Sequence, residues 1–585
     1  MAATKRRPKT DAPPTAEPPS TGRGGLHAIL LALIVMAALT LAVTSVRDDS
    51  ATADEGAHIA AGLLKITKGW LHFYGEQSLL PDDIVALPLV LAGYQFSPAW
   101  GGDPWTVGRQ FLYDAGYDPQ RTLLLARIPS LLAFGGTLLL IYFFVARETQ
   151  RREWALVATA MAAFCPTLMA HGRLATADMT PTFFLFAATM LFFRLAEHPT
   201  IPRSLAFGAV AALAVLAKMS SLILGPFVVL LLFAMRKRIE WRPMLTALCA
   251  ATLLGIVMLE LLYVSQAGPE FLATQANPSR FLIGFRTFLH QLGAINYYYT
   301  GEHGHAQFLM GEFSSTGWRH YYLAALFLKT PIPAQLLFVF AVIRAFRGGA
   351  PFALRAMLLF VALFLAAASM SKVALGVRYV LPMFPFAFAA MGVALGEAVG
   401  SWQLAVGSGK STKNRPGSEK AAERQGFIHR QPPTANRQLV YRVLLIALVA
   451  WQIGANLTTW PSYIAYFNTF IGDREKDDLL IDSNLDWGQD LHRLARWKRD
   501  NQVGAMAVHY FGGGDPSYEL GPGAVLWAGP NGGPLPRGWF ALSRHYYRLS
   551  FDRAISPVSY DEYLSRSRAR FVTTIGGSID LYRVD

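Results

Sequence analysis

The apolar run Leu26–Val46, LHAILLALIVMAALTLAVTSV, decides the fold class of this chain. At about 20 residues it is long enough to cross the hydrocarbon core of a membrane. The basic, proline-rich residues 1–25 before it bury too little apolar surface to fold alone, which predicts a disordered cytoplasmic tail. Ala51-Thr52-Ala53 resembles a signal-peptidase site, so cleavage before Asp54 is an alternative. The length of the run favours an uncleaved anchor.

The composition of the whole chain predicts a membrane protein, with 53% hydrophobic and only 16% charged residues in a length of 585. The net charge of +14 would also suit a nucleic-acid-binding protein. The basic residues, however, cluster in short connections between apolar runs, which is how membrane topology is encoded, so no nucleic-acid partner is expected. Cys165 and Cys249 lie in apolar runs and offer neither a disulfide framework nor a thiol pair with metal-site spacing.

The later apolar runs raise the predicted number of transmembrane helices to about eleven. They lie at 123–146, 155–170, 179–196, 204–218, 219–235, 244–264, 321–345, 355–371, 378–399 and 442–459. Basic residues fall in every second connection of the first half, which places those connections and the N-terminus in the cytoplasm. The loops 47–122 and 265–320 are then exofacial. Segment 401–441, rich in basic residues with scattered Gly, Pro and Ser, is predicted to be a disordered cytoplasmic loop.

The hydropathy falls after Trp460, so the transmembrane domain is expected to span 26–460 and a small exofacial domain 461–585. Gly and Pro clusters separate its ordered segments, which predicts an α/β or α+β fold. Strands are expected at Leu479–Asp482, Ala505–Tyr510, Trp539–Ser543 and Arg570–Ile575, and a helix at Leu485–Arg499. The predicted fold class is therefore an α-helical polytopic membrane protein with a small C-terminal exofacial domain.

The first exofacial loop opens with two adjacent carboxylates, Asp54 and Glu55. Such a pair either caps the helix that follows or provides a carboxylate base at the membrane surface. His58 lies four residues after Asp54 and would share its helical face. The following apolar residues have helical spacing, which predicts a helix lying in the membrane interface. They are Ile59, Leu63, Ile66 and Trp70.

Further charged residues lie at the predicted exofacial ends of later spans. Asp178, immediately before a span, either caps that helix or is a second active-site carboxylate. Lys218, Lys372 and Arg378 either extend to the interface or converge to hold a lipid phosphate. His303 and His305 have a spacing usable by a metal ion. No third ligand or matched carboxylate lies nearby in the sequence, so no metal site is assigned to this pair.

The order of these motifs resembles a family of membrane enzymes. Asp54-Glu55-Gly56-Ala57-His58, the helix after it, Asp178 and Arg378-Tyr379-Val380-Leu381-Pro382 are similar to the polyprenyl-phosphate-dependent glycosyltransferases of the protein O-mannosyltransferase type. These enzymes have the GT-C fold, which also includes the aminoarabinose transferases acting on lipid A. A bacterial subgroup of glycosyltransferase family 39-like proteins is similar in three further segments. They are Gly304–Glu312, Lys329-Thr330-Pro331 and the stretch Asp482–Asp490, DSNLDWGQD.

The resemblance implies roles for individual residues. Asp54 matches the catalytic base that acts on the acceptor, Glu55 its partner, and Asp178 the acid of the second exofacial loop. Arg378 matches a basic position that contacts lipid phosphate. Further substrate-binding candidates are His58, Arg173, Lys218, Lys372 and Tyr379. One departure concerns the segment after the first-loop helix: relatives often have Pro-Pro-Leu followed by a basic residue, whereas this chain has Leu80-Pro81-Asp82-Asp83.

The predicted function is transfer of a sugar from a polyprenyl-phosphate donor to a hydroxyl of a protein, lipid or glycan, with inversion at the anomeric carbon. No cofactor is expected to be required, and a divalent cation stays an alternative. The resemblance implies the bacterial cytoplasmic membrane, with the active site on the periplasmic side. Two rivals remain open, a transporter or flippase of a lipid-linked sugar and an inactive glycan-binding relative. Transporters tend to show repeated halves, whereas this chain concentrates its acids on one face.

Overall fold

A computed structural model describes residues 21–71, 73–74, 78–97, 100–266, 282–300, 306–411, 435–529 and 533–585. Most of the predicted N-terminal tail, the centre of the predicted loop 401–441 and the pair His303 and His305 lie outside these residues. The predictions made for those segments therefore stay predictions.

Helices dominate the described chain. In the first half they are α1 (Thr21–Val46), α2 (Glu55–Lys68), α3 (Leu79–Leu91), α4 (Pro104–Tyr113), α5 (Pro119–Thr149), α6 (Arg152–Ala163), α7 (Pro166–Gly172), α8 (Met179–Glu197), α9 (Ile201–Ala217), α10 (Leu224–Met235) and α11 (Trp241–Ser265). Later helices span Ile283–Thr300, Tyr321–Lys329, Ile332–Ala345, Phe352–Ala368, Phe384–Ser411, Ala435–Thr459, Leu491–Asp500, Pro516–Leu520, Arg544–Leu549 and Tyr560–Arg566. Short 3-10 helices occupy Met219–Ile223, Val377–Met383, Tyr463–Ala465, Thr469–Ile471, Lys476–Asp478 and Asp482–Asn484.

Several of these helices are long and apolar enough to cross a membrane, as expected of an integral membrane protein. Among the described residues there are five, at Gly24–Val46, Pro119–Thr149, Met179–Glu197, Trp241–Ser265 and Leu439–Thr459. Helices α6 and α7 together would form a sixth, bent by 66°. Shorter apolar helices lie at Ile201–Ala217, Met219–Met235, Ile332–Ala345, Phe352–Ala368 and Met383–Ala398. The total of about eleven spans stays a prediction.

Two predicted spans are interrupted at prolines. The run predicted at 155–170 bends where α6 ends and Pro166 begins α7. The run predicted at 321–345 is two helices, because Thr330 is extended and Pro331 precedes the second helix. Proline has no backbone N–H and disfavours a helical residue before it, so each break follows from the sequence.

The helix predicted to lie in the membrane interface is instead enclosed. Every residue of α2 from Glu55 to Lys65 is buried, and α3 and α4 pack against it. Two glycines permit this close packing. A Cβ on Gly62 would lie 2.0 Å from the Asp82 carbonyl oxygen, and one on Gly108 would lie 2.3 Å from the Gly56 carbonyl carbon. These contacts fix the start of α2, where Asp54 lies.

The described strands form two sheets. β1 (Gln307–Leu309) and β2 (Glu312–Ser314) make an antiparallel hairpin. The other five are β3 (Met506–His509), β4 (Ala524–Leu526), β5 (Gly538–Ser543), β6 (Arg570–Ile575) and β7 (Ile579–Val584), in the order β4-β3-β5-β7-β6. β3 is parallel to both β4 and β5, whereas β7 is antiparallel to β5 and β6. The mixed sheet lies within the predicted exofacial domain, whose independence as a domain stays a prediction.

The predicted strands at Ala505–Tyr510, Trp539–Ser543 and Arg570–Ile575 are confirmed as β3, β5 and β6. The strand predicted at Leu479–Asp482 is wrong, because this stretch leads into the 3-10 helix Asp482–Asn484. The helix predicted from Leu485 begins only at Leu491. The segment Leu479–Asp490 is therefore a buried irregular connection, and it lies beside the candidate site.

Candidate active site

Asp54 lies at the first turn of α2, but it does not act as a helix cap through its side chain. Its Oδ2 is 3.0 Å from Nη1 of Arg378, and its Oδ1 accepts a 3.5 Å hydrogen bond from the indole N–H of Trp105. The backbone amide of Ala53 donates to the carbonyl of Trp487 at 3.0 Å. The capping alternative is thus not what the structure shows, and the carboxylate faces a cation from a distant part of the chain.

Asp178 is buried directly before α8, and its side chain also makes no capping bond. Lys218 Nζ donates to its Oδ1 at 2.7 Å, and Arg378 Nη1 lies 3.7 Å from its Oδ2. Burial alone would raise the pKa of this carboxyl, but the charges of Lys218 and Arg378 hold the pKa well below its ordinary value. Asp178 therefore stays ionised and holds both cations in place.

Arg378 is the centre of the site. It lies in the 3-10 helix Val377–Met383, and its guanidinium carbon is 4.3 Å from the ring centre of Trp487 and 4.9 Å from that of Tyr379. Although burial disfavours its charge, Tyr379 and the nearby carboxylates hold its pKa well above the ordinary value. In the part of the chain that the structure describes, its Nε has no hydrogen-bond partner. This permanent cation therefore keeps a free donor.

Tyr379 completes the link between the two cations, since Lys218 Nζ lies 5.2 Å from its ring centre. The structure thus brings together five residues that the sequence singled out, from four separate regions of the chain. They are Asp54, Asp178, Lys218, Arg378 and Tyr379. Cations over aromatic faces and beside carboxylates are held without full neutralisation, which suits a site for an anionic ligand.

The connection Asp482–Trp487 was not predicted to supply a site residue. Ser483 Oγ donates to the carbonyl of Leu375 at 2.9 Å, and Asn484 Oδ1 accepts from the amide of Val377 at 2.9 Å. These bonds fix the backbone directly before Arg378. The motif DSNLDWGQD is the signal in the sequence, because the resemblance includes this segment but implies no role for its residues.

Glu55 does not join Asp54, although the sequence predicted a catalytic pair. Its carboxylate is fully buried and accepts two 2.7 Å hydrogen bonds from Arg127, from Nε and Nη2. The amides of Thr52 and Ala175 donate to it at 2.9 and 2.8 Å. Burial would raise its pKa, yet Arg127 and these amides hold the pKa below the ordinary value. Glu55 therefore fixes the loops around the site and contacts none of its cations.

Arg173 likewise belongs to a buried network of ion pairs. Its guanidinium is completely buried, 2.8 Å from Asp49 Oδ2, and Arg493 pairs with the other oxygen of Asp49. Arg493 also pairs with Asp490. This network joins the end of α1 to the helix Leu491–Asp500. The side chain of Arg173 is directed to Asp49, and its predicted role in substrate binding stays a prediction.

His58 is also directed away from Asp54. Its Nδ1 lies 2.6 Å from Asp82 Oδ1, and Lys65 pairs with the other oxygen of Asp82. All three side chains are buried between α2 and α3. The acidic residue at position 82 therefore balances the buried charge of Lys65.

The remaining candidate, Lys372, is half-buried, and its backbone carbonyl accepts a 2.8 Å hydrogen bond from the side chain of Gln307. Among the residues that the structure describes, no hydrogen bond or ion pair joins the Lys372 side chain to the cluster around Arg378. Lys329, in the Lys-Thr-Pro motif, is buried and donates to the backbone carbonyls of Ile464, Tyr466 and Asn484. It therefore ties the segment after the last predicted span to the helix Tyr321–Lys329.

Within the described ranges, no group of three or more His, Cys, Asp or Glu side chains is arranged to hold a metal ion. At the centre of the cluster the place between Asp54 and Asp178 is taken by the guanidinium of Arg378. The expected independence from metal ions is a question for experiment.

Residues 120–263 match a protein family described as dolichyl-phosphate-mannose-protein mannosyltransferase. This segment contains Asp178 and Lys218 of the cluster as well as Arg127. Over this segment the chain is similar to membrane glycosyltransferases that use lipid-phosphate sugar donors. The match confirms the predicted resemblance to the protein O-mannosyltransferase group. No curated protein sequence matches the chain.

Solved structures of similar architecture have low sequence identity. ArnT from Cupriavidus metallidurans, bound to undecaprenyl phosphate, is 13% identical with a TM-score of 0.45 over 96% of this chain and 98% of that one. The archaeal oligosaccharyltransferase AglB from Archaeoglobus fulgidus, in complex with an inhibitory peptide and a dolichol-phosphate, is 9% identical with a TM-score of 0.48 over 97% and 75%. Arabinofuranosyltransferase AftD from Mycobacteria is 11% identical with a TM-score of 0.41 over 95% and 40%. No residue assignment rests on these similarities.

Proposed function

We propose that the chain transfers a sugar from a polyprenyl-phosphate donor to a hydroxyl of an acceptor on the exofacial side of the membrane, with Asp54 as the base. The observation that carries this proposal is the position of Arg378, between the carboxylates of Asp54 and Asp178 and above the ring of Trp487. A base and an anion-binding group that touch each other suit a reaction in which a hydroxyl attacks and a phosphate leaves.

The reaction proceeds by direct displacement. The acceptor hydroxyl loses its proton to Asp54 while its oxygen forms a bond to the anomeric carbon of the donor sugar. The bond between that carbon and the phosphate oxygen breaks, and its electron pair stays with the lipid phosphate. The guanidinium of Arg378 stabilises this charge through its forked N–H donors. Attack from the face opposite the leaving phosphate inverts the anomeric centre.

The two cations have different tasks in this proposal. Lys218 donates to Asp178 at 2.7 Å, whereas Arg378 touches Asp178 at 3.7 Å and Asp54 at 3.0 Å. The closer pair with Lys218 satisfies Asp178, which leaves most N–H groups of the guanidinium for phosphate. Arginine has five such donors, so it can contact Asp54 and a phosphate together. Asp178 therefore orients the phosphate-binding residue and does not itself accept a proton.

The side of the membrane follows from the basic residues of the connections. Arg147, Arg151 and Arg152 follow α5, and the cluster at residues 236–242 follows α10. Both sets lie at helix ends opposite those that carry Asp178 and Lys218. By the positive-inside rule, this arrangement supports a site on the exofacial side, which the resemblance identifies with the periplasmic face of a bacterial cytoplasmic membrane. The acceptor can be a protein, a lipid or a glycan that reaches this face.

The proposal predicts that R378K raises the KM for the donor. Lysine keeps the charge but cannot contact a carboxylate and a phosphate with a planar fork. A lost charge-assisted hydrogen bond of about 1.5–3 kcal/mol corresponds to a rise in KM of about tenfold to a hundredfold. The measurement is transfer from a labelled polyprenyl-phosphate sugar by the purified full chain in membrane vesicles. R319K, which changes an exposed arginine in the predicted exofacial loop 265–320, is the matched control.

The wild-type chain could instead transfer no sugar from polyprenyl-phosphate donors while it moves the lipid-linked sugar across the vesicle membrane. That result would contradict the proposal and support the flippase function. Transfer with an unchanged donor KM in R378K would remove Arg378 from the phosphate site while keeping the enzyme class.

A second prediction concerns metal ions. Treatment of the vesicles with a chelator is expected to leave kcat and the donor KM unchanged, because Arg378 provides the positive charge next to the two carboxylates. The same assay is repeated with Mg²⁺ or Mn²⁺ added back. A loss of transfer on chelation that either ion restores would show that a divalent cation shares the site with Arg378.

A further inference from the structure

Asp482 begins the 3-10 helix Asp482–Asn484, which packs against the 3-10 helix Val377–Met383 that carries Arg378. Burial raises the pKa of Asp482, the charge of Arg378 lowers it, and the charge of Asp54 raises it. Unlike Asp54 and Asp178, Asp482 makes no ion pair in the part of the chain that the structure describes. Its own hydrogen bond comes from the amide of Ser483 at 2.6 Å. Asp482 is therefore the third carboxylate of the cluster and the one held least by cations.

The backbone positions Asp482 with little freedom. Its φ angle is +58°, in the left-handed region that residues other than Gly, Asn and Asp rarely adopt. The next two residues bond to the segment directly before Arg378: Ser483 donates to the carbonyl of Leu375, and Asn484 accepts from the amide of Val377. The two residues after Asp482 therefore fix it beside the segment that carries Arg378.

The charges of the cluster set a condition for phosphate binding. Two cations, Arg378 and Lys218, face three carboxylates, Asp54, Asp178 and Asp482. A phosphodiester brings another negative charge next to them. Asp178 is kept ionised by its two cations, and Asp54 must be ionised to accept a proton. Only Asp482 can lose its charge without breaking an ion pair.

We propose that Asp482 is the carboxyl group that takes up a proton when the phosphate of the lipid donor enters the site. This inference rests on the proposed donor class and deepens it, since it couples donor binding to pH. Neutral Asp482 leaves Arg378 to the phosphate and can donate a hydrogen bond to a phosphate oxygen or a sugar hydroxyl. Ionised Asp482 competes with the phosphate for the same guanidinium.

The direction of the pH effect follows from linkage. Burial raises the pKa of Asp482 to about 6 despite the opposing charge of Arg378. A bound phosphate raises this pKa further. Below pH 6 the carboxyl is neutral in both states, and affinity does not depend on its titration. Above pH 6 each bound ligand takes up one proton, so affinity falls with rising pH until the pKa of the bound state is passed.

The test uses the methyl diester of polyprenyl phosphate as the probe. A diester has one constant charge, whereas a phosphate monoester would itself titrate near pH 6. Its Kd for the full chain in vesicles is measured between pH 5.5 and 8. For the wild type we expect Kd to rise above pH 6 by a factor approaching ten per pH unit. In D482N and D482G, both compatible with a positive φ, the Kd stays low and changes less than about twofold over this range.

Two variants in the same connection act as controls. D478N removes an exposed carboxylate that pairs with Arg548, and it should keep the wild-type profile. Asp486 is the rival titrating group, since burial raises its pKa to about 7, but it bonds to Ser543 and to the amide of His545. D486N should also keep the profile.

Each outcome decides the matter. A pH-dependent Kd that survives in D482N and D482G overturns the role of Asp482, and a dependence that disappears in D486N assigns the proton to Asp486 instead. No saturable binding by the wild type at any pH would contradict the proposed donor class itself, and the role of Asp482 with it. Melting temperatures of all variants confirm that a lost dependence does not come from unfolding.

Discussion

D54N is expected to lower kcat by a factor of about 10² to 10⁴, the usual contribution of a positioned general base. Asparagine has nearly the shape of aspartate and can still accept hydrogen bonds from Trp105 and Arg378, but it cannot take a proton from the acceptor hydroxyl. The donor KM should change less than kcat, because the carboxylate acts on the acceptor and the phosphate contacts Arg378. Transfer is measured at saturating donor, with the acceptor varied.

The control for this experiment is D48N. Asp48 lies on the same outer surface, is partly exposed and pairs with Arg496, away from Arg378. It should retain wild-type transfer. The melting temperature of D54N should stay within a few degrees of the wild-type value, because the Asp54 side chain caps no helix and Arg378 keeps Asp178 as a partner. Transfer that persists in D54N at the wild-type rate would contradict the assignment of Asp54 as the base.

The membership of the site could be predicted in part, because topology alone places residues on one side of a membrane. Asp54, Asp178, Lys218 and Arg378 each stand at the end of an apolar run, and the count of spans assigned those ends to the same face. Residues that share a thin surface layer and carry opposite charge tend to pair. The distances of 2.7–3.7 Å among them show that these four residues lie together, and their roles in catalysis stay predictions.

Side-chain direction could not be predicted in the same way. Adjacent residues of a helix point about 100° apart, so Asp54 and Glu55 face different partners even though they are neighbours in the sequence. The partner of Glu55 is Arg127, 72 positions later in α5. The resemblance implies that both carboxylates belong to the site, and the bridge from Arg127 of α5 to Glu55 separates them. The same limit applies to His58, which shares a nominal face with Asp54 but bonds to Asp82.

The turn at Asp482 shows why the local sequence pattern predicted a strand at Leu479–Asp482 where the structure has none. Leu479, Leu480 and Ile481 form a short apolar run, which is typical of a buried strand. All three are buried, so the run does mark burial, but no strand pairs with it within the described residues. The following Asp-Ser-Asn favours a turn, because short polar side chains bond to their own backbone. The contact of this turn with the segment of Arg378 joins residues about 108 positions apart, so no hydrophobic periodicity in the sequence could predict it.

E55Q is expected to lower the free energy of unfolding by about 3–5 kcal/mol, the usual cost of removing one partner of a buried ion pair. The Glu55 carboxylate accepts from four donors, two on Arg127 and the amides of Thr52 and Ala175. A glutamine amide group would direct its own N–H groups at two of them, and Arg127 would keep an uncompensated charge. The measurement is the midpoint of thermal or denaturant unfolding of the full chain in detergent.

This experiment also separates the structural role of Glu55 from the catalytic one that the sequence predicted. If the carboxylate is structural, its replacement lowers stability and leaves kcat of the folded fraction close to wild type. If it is catalytic, its replacement lowers kcat at unchanged stability. E562Q, which breaks an exposed pair with Arg566, is the matched control and should change stability by less than about 1 kcal/mol. E55Q should therefore lower the free energy of unfolding, whereas D54N should lower kcat. The two neighbouring carboxylates have different roles, because the bridge from Arg127 to Glu55 fixes the loop that carries the base Asp54.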